Sequence, residues 1–185
     1  TSAFEGGRYR IAAEKWQNAH RIAQDFDEGD PRLAGSLNNM AIAFRINNDF
    51  EQAGRCYRNA LENWESAFYW IDRMRLTQRA RSSLFHLRME SKHRKKYDNI
   101  ARKNYKRLLS AGQAGTLNNL AELFQTSKRF KEAERYYHQA LRKRADSMDE
   151  QESGVAIINM NLASLSDRFN KLPETALRAA QKSKD

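Results

Sequence analysis

Four histidines, one cysteine, two glycine-rich turns and one dense run of cations are the residues here whose types and spacing could do chemistry. His20, His86, His93 and His138 form no i, i+4 pair and have no acidic partner at ligand spacing, so no metal centre is expected. Cys56 stands alone, which excludes a disulfide or a cysteine-based metal site within the chain; a lone helical thiol is usually a small buried hydrophobe. Gly6-Gly7 and GQAG at 112–115 lack both the preceding strand and the lysine of a phosphate loop, and read as turns. No Ser, Thr or Cys nucleophile lies in a recognisable motif, so the expectation is a protein that is not an enzyme and needs no cofactor.

The cationic run is RMRLTQRARSSLFHLRMESKHRKKY, residues 73–97, with nine Lys and Arg against Glu90 alone. From Arg73 to Arg107 the surplus is 11 positive charges, which exceeds the net charge of +10 of the whole chain. The basicity is therefore one local feature. Three chemistries could use it: a nucleic-acid arm, a membrane-surface helix, or a structural element with a basic exposed face.

The elements that must carry these residues are helical. Hydrophobic residues make up 40 % and charged residues 30 %, a folded composition. Two prolines and eight glycines, with none of either between Arg55 and Ala111, leave little punctuation for strands and hairpins. Apolar runs are far shorter than the roughly 20 residues of a transmembrane helix.

An internal repeat organises the chain. SLNNMAIAFRINNDFEQAGRCYRNAL (36–61) and TLNNLAELFQTSKRFKEAERYYHQAL (116–141) align without a gap. Each copy holds two amphipathic stripes at i, i+3, i+4, i+7: Leu37, Met40, Ala41 and Phe44 then Phe50, Ala53, Tyr57 and Ala60, matched by Leu117, Leu120, Ala121 and Phe124 then Phe130, Ala133, Tyr137 and Ala140. Alanine on one helix admits an aromatic ring from the other where the two cross closely. Asn48 or Asp49 is placed to cap the second helix.

The pattern of a bulky residue, a small one, an aromatic, then A-x3-Y-x2-A resembles the tetratricopeptide repeat family, and the LNNLA-type wording and long spacing resemble its kinesin-light-chain variety. The resemblance implies an all-α fold, a right-handed α-α superhelix of about nine helices. Its units would be a partial repeat at 1–29, a repeat at 30–68, a degenerate basic repeat at 69–111, a repeat at 112–148 and a degenerate capping repeat at 149–185, carried by Leu162, Ala163, Leu172 and Ala176. Since residue 1 falls inside a hairpin, a further repeat is expected before it, or Thr1–Gly7 forms its own cap.

In this family an Asn two places before the small residue commonly holds a ligand's backbone, since one amide both donates and accepts. That position is Asn39, Asn119 and Asn161, flanked by the groove positions Asn38, Ile42, Arg45, Asn118, Glu122 and Gln125. The alternative is that these amides bond only within the scaffold. Asn38 and Asn118 stand where the carboxylate-clamp variety has lysine, so that mode of binding is not expected.

The implied function is a scaffold or adaptor that binds a peptide or partner subunit in a concave groove. The alternative is binding of nucleic acid (RNA) or another polyanion through 73–107, with a basic patch of Arg88, Lys92, Arg94, Lys95 and Lys96; an acidic protein or a second copy of the chain is the third candidate partner. On a helical wheel, Ile71, Met74, Phe85 and Met89 face one side of 73–97 and Leu76, Ala80, Leu84 and Leu87 the other. Two apolar faces argue for a packed helix of the third unit, since a membrane-surface helix shows one.

Overall fold

The computed structural model describes residues 9–26, 29–81, 91–147 and 152–170. Six helices lie within them: α1 (Tyr9–Ala23), α2 (Pro31–Ile46), α3 (Phe50–Arg81), α4 (Ser91–Thr126), α5 (Phe130–Asp146) and α6 (Glu152–Asn170). Among the described residues there is no strand. Helices α2, α4 and α6 lie side by side, and α3 and α5 pack against them.

Local chemistry starts and stops these helices. Asp30 caps α2, its carboxylate accepting from the Arg32 N–H at 2.9 Å, and Pro31 follows at a position where no N–H is needed. Of the two candidate caps for α3 it is Asp49 that acts, accepting from the Gln52 N–H at 3.1 Å. Asn48 instead makes the turn, with φ of 62°, and Lys128 takes φ of 60° at the matching place in the second copy. Asparagine tolerates that left-handed conformation better than lysine does. Arg129 gives α5 no side-chain cap; its guanidinium pairs with Glu132 and covers the Phe124 ring.

The small-and-aromatic alternation packs as the repeat requires. Ala41, Ala53, Tyr57 and Ala60 are buried, as are Ala121, Ala133, Tyr137 and Ala140, and most of them join one core with Leu117, Leu120, Leu123, Ile158 and Leu165. Cys56 is part of that core. A second cluster joins Ala34 of α2 to Trp64 and Ala67 of α3 and Leu109 of α4.

The order of units differs from the one read off the spacing. The boundaries at 68/69 and 111/112 fall inside α3 and α4, helices of 32 and 36 residues. At 1.5 Å per residue they run to about 48 and 54 Å, roughly twice the length of α2. The two strong copies touch directly: Asn119 of α4 donates to Asn38 of α2 at 3.0 Å, and Arg45 pairs with Glu122. Among the described residues, no hairpin lies between α2 and the 116–126 stretch of α4.

A repeated joint makes the same point. Ser36 Oγ donates to the Leu33 carbonyl at 2.8 Å, so the His20 Nδ1 3.2 Å away must be the donor to it. Thr116 Oγ1 donates to the Gly112 carbonyl at 3.1 Å and accepts from the Trp64 indole N–H at 3.0 Å. Ser36 and Thr116 are matching positions, each receiving a ring N–H from the preceding helix. Helix α4 thus follows α3 as α2 follows α1.

The reason is legible in the chain once the contact is seen. With no Gly or Pro between Arg55 and Ala111, nothing stops α3 at residue 68. GQAG is not a turn but an interior part of α4, because Gly112 lies beneath the Trp64 ring: a Cβ there would sit 2.5 Å from it. Residues 82–90, with His86, Leu87 and Arg88, lie outside the described residues, as do Gly6-Gly7, Leu172 and Ala176.

Candidate functional site

The residues singled out in the sequence converge on one polar row across α2, α4 and α6. Asn38 Oδ1 accepts from Asn119 at 3.0 Å, and Asn38 Nδ2 makes a long 3.4 Å bond to Asn39 Oδ1. Asn161 donates to Asn118 Oδ1 at 3.0 Å and to Glu122 Oε1 at 3.3 Å, and Asn118 donates to the same oxygen at 3.1 Å. Glu122 Oε2 meets the Arg45 guanidinium at 3.0 Å. Three helices supply these groups because the repeat sets each asparagine at the same height of its first helix.

Glu122 is the centre of this row. It takes two amides and one guanidinium, which link all three helices. The sequence marked it only as a neighbour of the asparagines, because its role depends on Arg45, 77 positions earlier, arriving beside it. Gln125 stands apart from the row: its Oε1 accepts from the Tyr137 hydroxyl at 2.7 Å, so it serves the core. Ile42 packs against the core as well.

The row satisfies itself only in part. An asparagine side chain offers two donor hydrogens and an acceptor oxygen. Asn39 and Asn119 are each half-buried. Asn39 spends its oxygen and Asn119 one N–H, which leaves amide hydrogens on the first and a carbonyl oxygen on the second. Both side chains are bonded to Asn38, and a free donor and a free acceptor are the groups with which an extended peptide backbone pairs.

The two buried tyrosines beneath the row differ instructively. Tyr137 has Gln125 as acceptor, whereas Arg45 stands at the matching place in the first copy and a guanidinium accepts nothing. The Tyr57 hydroxyl is buried without a hydrogen-bond partner. Burial pushes its pKa up to about 12 and raises that of Tyr137 too. Tyr57→Phe is expected to leave stability unchanged or raise it by about 1 kcal/mol, while Tyr137→Phe lowers it by about 1 kcal/mol; urea unfolding measures both.

The same shift has a pH consequence. A folded-state pKa raised above the unfolded value near 10 holds stability below pH 10 and loses it as pH rises towards 12. Tyr57→Phe should flatten that alkaline fall.

The basic residues divide. The side chains of Lys92, Arg94, Lys95 and Lys96, on the first turns of α4, lie outside those described, like Arg88. Further along α4, Asn99, Arg102, Lys103, Lys106 and Arg107 line an open cleft of about 440 Å³, with Asp146 at the end of α5 opposite. These four cations were counted in the charge surplus but not in the expected patch, and their i, i+4 spacing was the available signal.

Among the described residues, no group of three His, Cys, Asp or Glu could hold a metal ion, and no described helix is long and apolar enough to cross a membrane. Burial raises the Cys56 thiol pKa, which keeps it protonated, and burial lowers that of His20.

Comparison with known proteins bears on the hairpin at the middle of the row. Residues 113–146 match the family model of the tetratricopeptide repeat. A search of curated proteins found no match. The matched stretch spans the second part of α4 and all of α5, including Asn118, Asn119, Glu122 and Gln125, and over those residues the chain is similar to a tetratricopeptide repeat.

Proposed function

We propose that this protein is a non-catalytic interaction module that holds an extended segment of a partner polypeptide against the face made by α2, α4 and α6. Tetratricopeptide repeats commonly mediate protein–protein interaction, and the observation that carries the specific reading is the spare donor of Asn39 and the spare acceptor of Asn119, two amides each bonded to Asn38. The first helices would then form the concave side of a right-handed superhelix of the kinesin-light-chain variety. Main-chain hydrogen bonds to such a row give affinity with little demand on ligand side chains.

The double variant Asn39→Ala, Asn119→Ala tests it. Each lost bond to a neutral backbone group is worth about 1 kcal/mol, so affinity for a purified partner should fall roughly tenfold to a hundredfold while the helical circular dichroism is kept. Unchanged affinity in the folded variant would refute the role.

The cleft on α4 favours a second reading, binding of a polyanion such as RNA. Among the described residues, four cations and one carboxylate line it. If they all contact phosphates, affinity should drop roughly a hundredfold between about 50 and 200 mM salt. A salt titration against a short single-stranded RNA measures this, and no binding at the lower salt would dismiss it.

A further inference from the structure

On the other side of α4 from the asparagine row lies a cavity that the peptide-binding reading does not use. Gln113 and Glu122 are nine residues apart, about 180° around the helix. The cavity, about 290 Å³, opens between α3, α4 and α5. Leu61 and Leu117 give it aliphatic walls, and Glu65 of α3 and Gln139, Arg142 and Lys143 of α5 supply its other polar lining.

Its distinguishing group is Gln113. The residue is 3 % exposed, borders the cavity, and its Oε1 is buried with no hydrogen-bond partner. An unpaired buried amide oxygen is costly to leave unmade, so in a folded protein it marks a place where something else is received. The repeat did not require it, since the first copy has Leu33 at the matching position.

The chemistry of the lining narrows the ligand. A carboxylate would set acceptor against acceptor at Oε1, an alkyl group would leave it unpaired, and an ammonium would bring a bare charge between two leucines. A carboxamide answers it in both directions, donating to Oε1 and accepting from Nε2. The leucines suit a short methylene stem, and the rim carries both signs of charge, as the polar groups of a peptide or a zwitterion need. The volume sits at the lower end for ligand pockets, the scale of one residue and not of a cofactor.

We propose that this cavity binds a short aliphatic chain ending in a carboxamide, the side-chain chemistry of glutamine, presented by a partner polypeptide or by the free amino acid. Gln113 pairs with the head group, Leu61 and Leu117 hold the stem, and Glu65, Arg142 and Lys143 meet the polar end.

The test is a titration of the full-length ¹⁵N- and methyl-labelled protein, followed by NMR. The probes are N-acetylglutamine N-methylamide, free glutamine, and N-acetylnorleucine N-methylamide, which keeps the stem and lacks the carboxamide. Saturable shifts at the Gln113 side-chain amide and the Leu61 and Leu117 methyls are expected, with affinity in the millimolar range appropriate to so small a ligand. Binding should be at least about tenfold weaker for the norleucine probe.

Gln113→Leu should abolish binding while keeping or raising the melting temperature, because it removes an unpaired buried amide. The Asn39→Ala, Asn119→Ala variant should bind the probes normally, which separates this site from the peptide-binding face. Response to the capped probe points to a polypeptide source and response to free glutamine alone to a metabolite; either supports the site. No saturable shift with either carboxamide, equal binding of norleucine, or binding that persists in Gln113→Leu overturns it, the first of these being the result if water alone fills the cavity.

Discussion

Trp64→Ala is expected to destabilise the protein by about 3–5 kcal/mol, the usual cost of truncating a buried aromatic. The indole fills the second core cluster with Ala34, Ala67 and Leu109, and its N–H donates to Thr116 at 3.0 Å. Both contacts join consecutive hairpins, so the loss falls on the joint between them. Urea unfolding measures it, and Trp64→Phe separates the terms by keeping most of the ring while removing the N–H.

Glycines on α2 and α4 supply the control. Gly35→Ala and Gly115→Ala, with nothing within 4 Å of the added carbon, should each stabilise by about 0.5–1 kcal/mol through helix propensity. Gly112→Ala makes the same helix gain but drives a carbon to 2.5 Å from a rigid buried ring. Overpacking of that kind costs about 1–3 kcal/mol, so this variant should be net destabilised. If Gly112→Ala stabilised as the other two do, the close approach of Trp64 would be disproved.

Glu122→Ala carries the second large effect, about 2 kcal/mol. Removing one partner of a fully buried pair costs about 3–5 kcal/mol and of a surface pair under about 1. With side-chain exposures of 23 % for Arg45 and 29 % for Glu122, this pair belongs between those limits. The substitution also takes the acceptor from Asn118 and Asn161 and leaves Arg45 beside the unpaired Tyr57 hydroxyl.

Glu122→Gln distinguishes charge from geometry, since it can still accept from both amides. It should cost about half as much, and in high salt the loss in both variants should shrink by the same amount, because screening weakens the Arg45–Glu122 pair of the wild type while the difference between the two uncharged variants stays. Equal losses in Glu122→Gln and Glu122→Ala would mean that the charge carries the whole effect. A loss below about 0.5 kcal/mol in Glu122→Ala would mean that the row does not hold the three helices together.

Much of the molecule was legible in its residues. Two gapless copies predicted two helical hairpins, and Ala41, Ala53, Tyr57 and their partners occupy the buried positions that periodicity assigned them. The recurrence of Asn39, Asn119 and Asn161 predicted one face, and the bonds from Asn119 to Asn38 and from Asn161 to Asn118 lie on it. Helical periodicity is a local property, so 3.6 residues per turn translate a spacing into a face without knowledge of the rest of the chain.

What spacing could not decide was which hairpins touch. An offset of 80 residues looked like room for one more packed unit, whereas α3 and α4 absorb that length by running on. Helix continuation and a new helix have the same apolar period, and only the contact of Trp64 with Gly112 and Thr116 tells them apart. Glu122 became the centre of the row, and Gln113 an unmet acceptor in a cavity, by the same route. Ion pairs, orphaned amides and ring-on-glycine contacts are properties of two distant residues at once, and tertiary packing alone brings such pairs together.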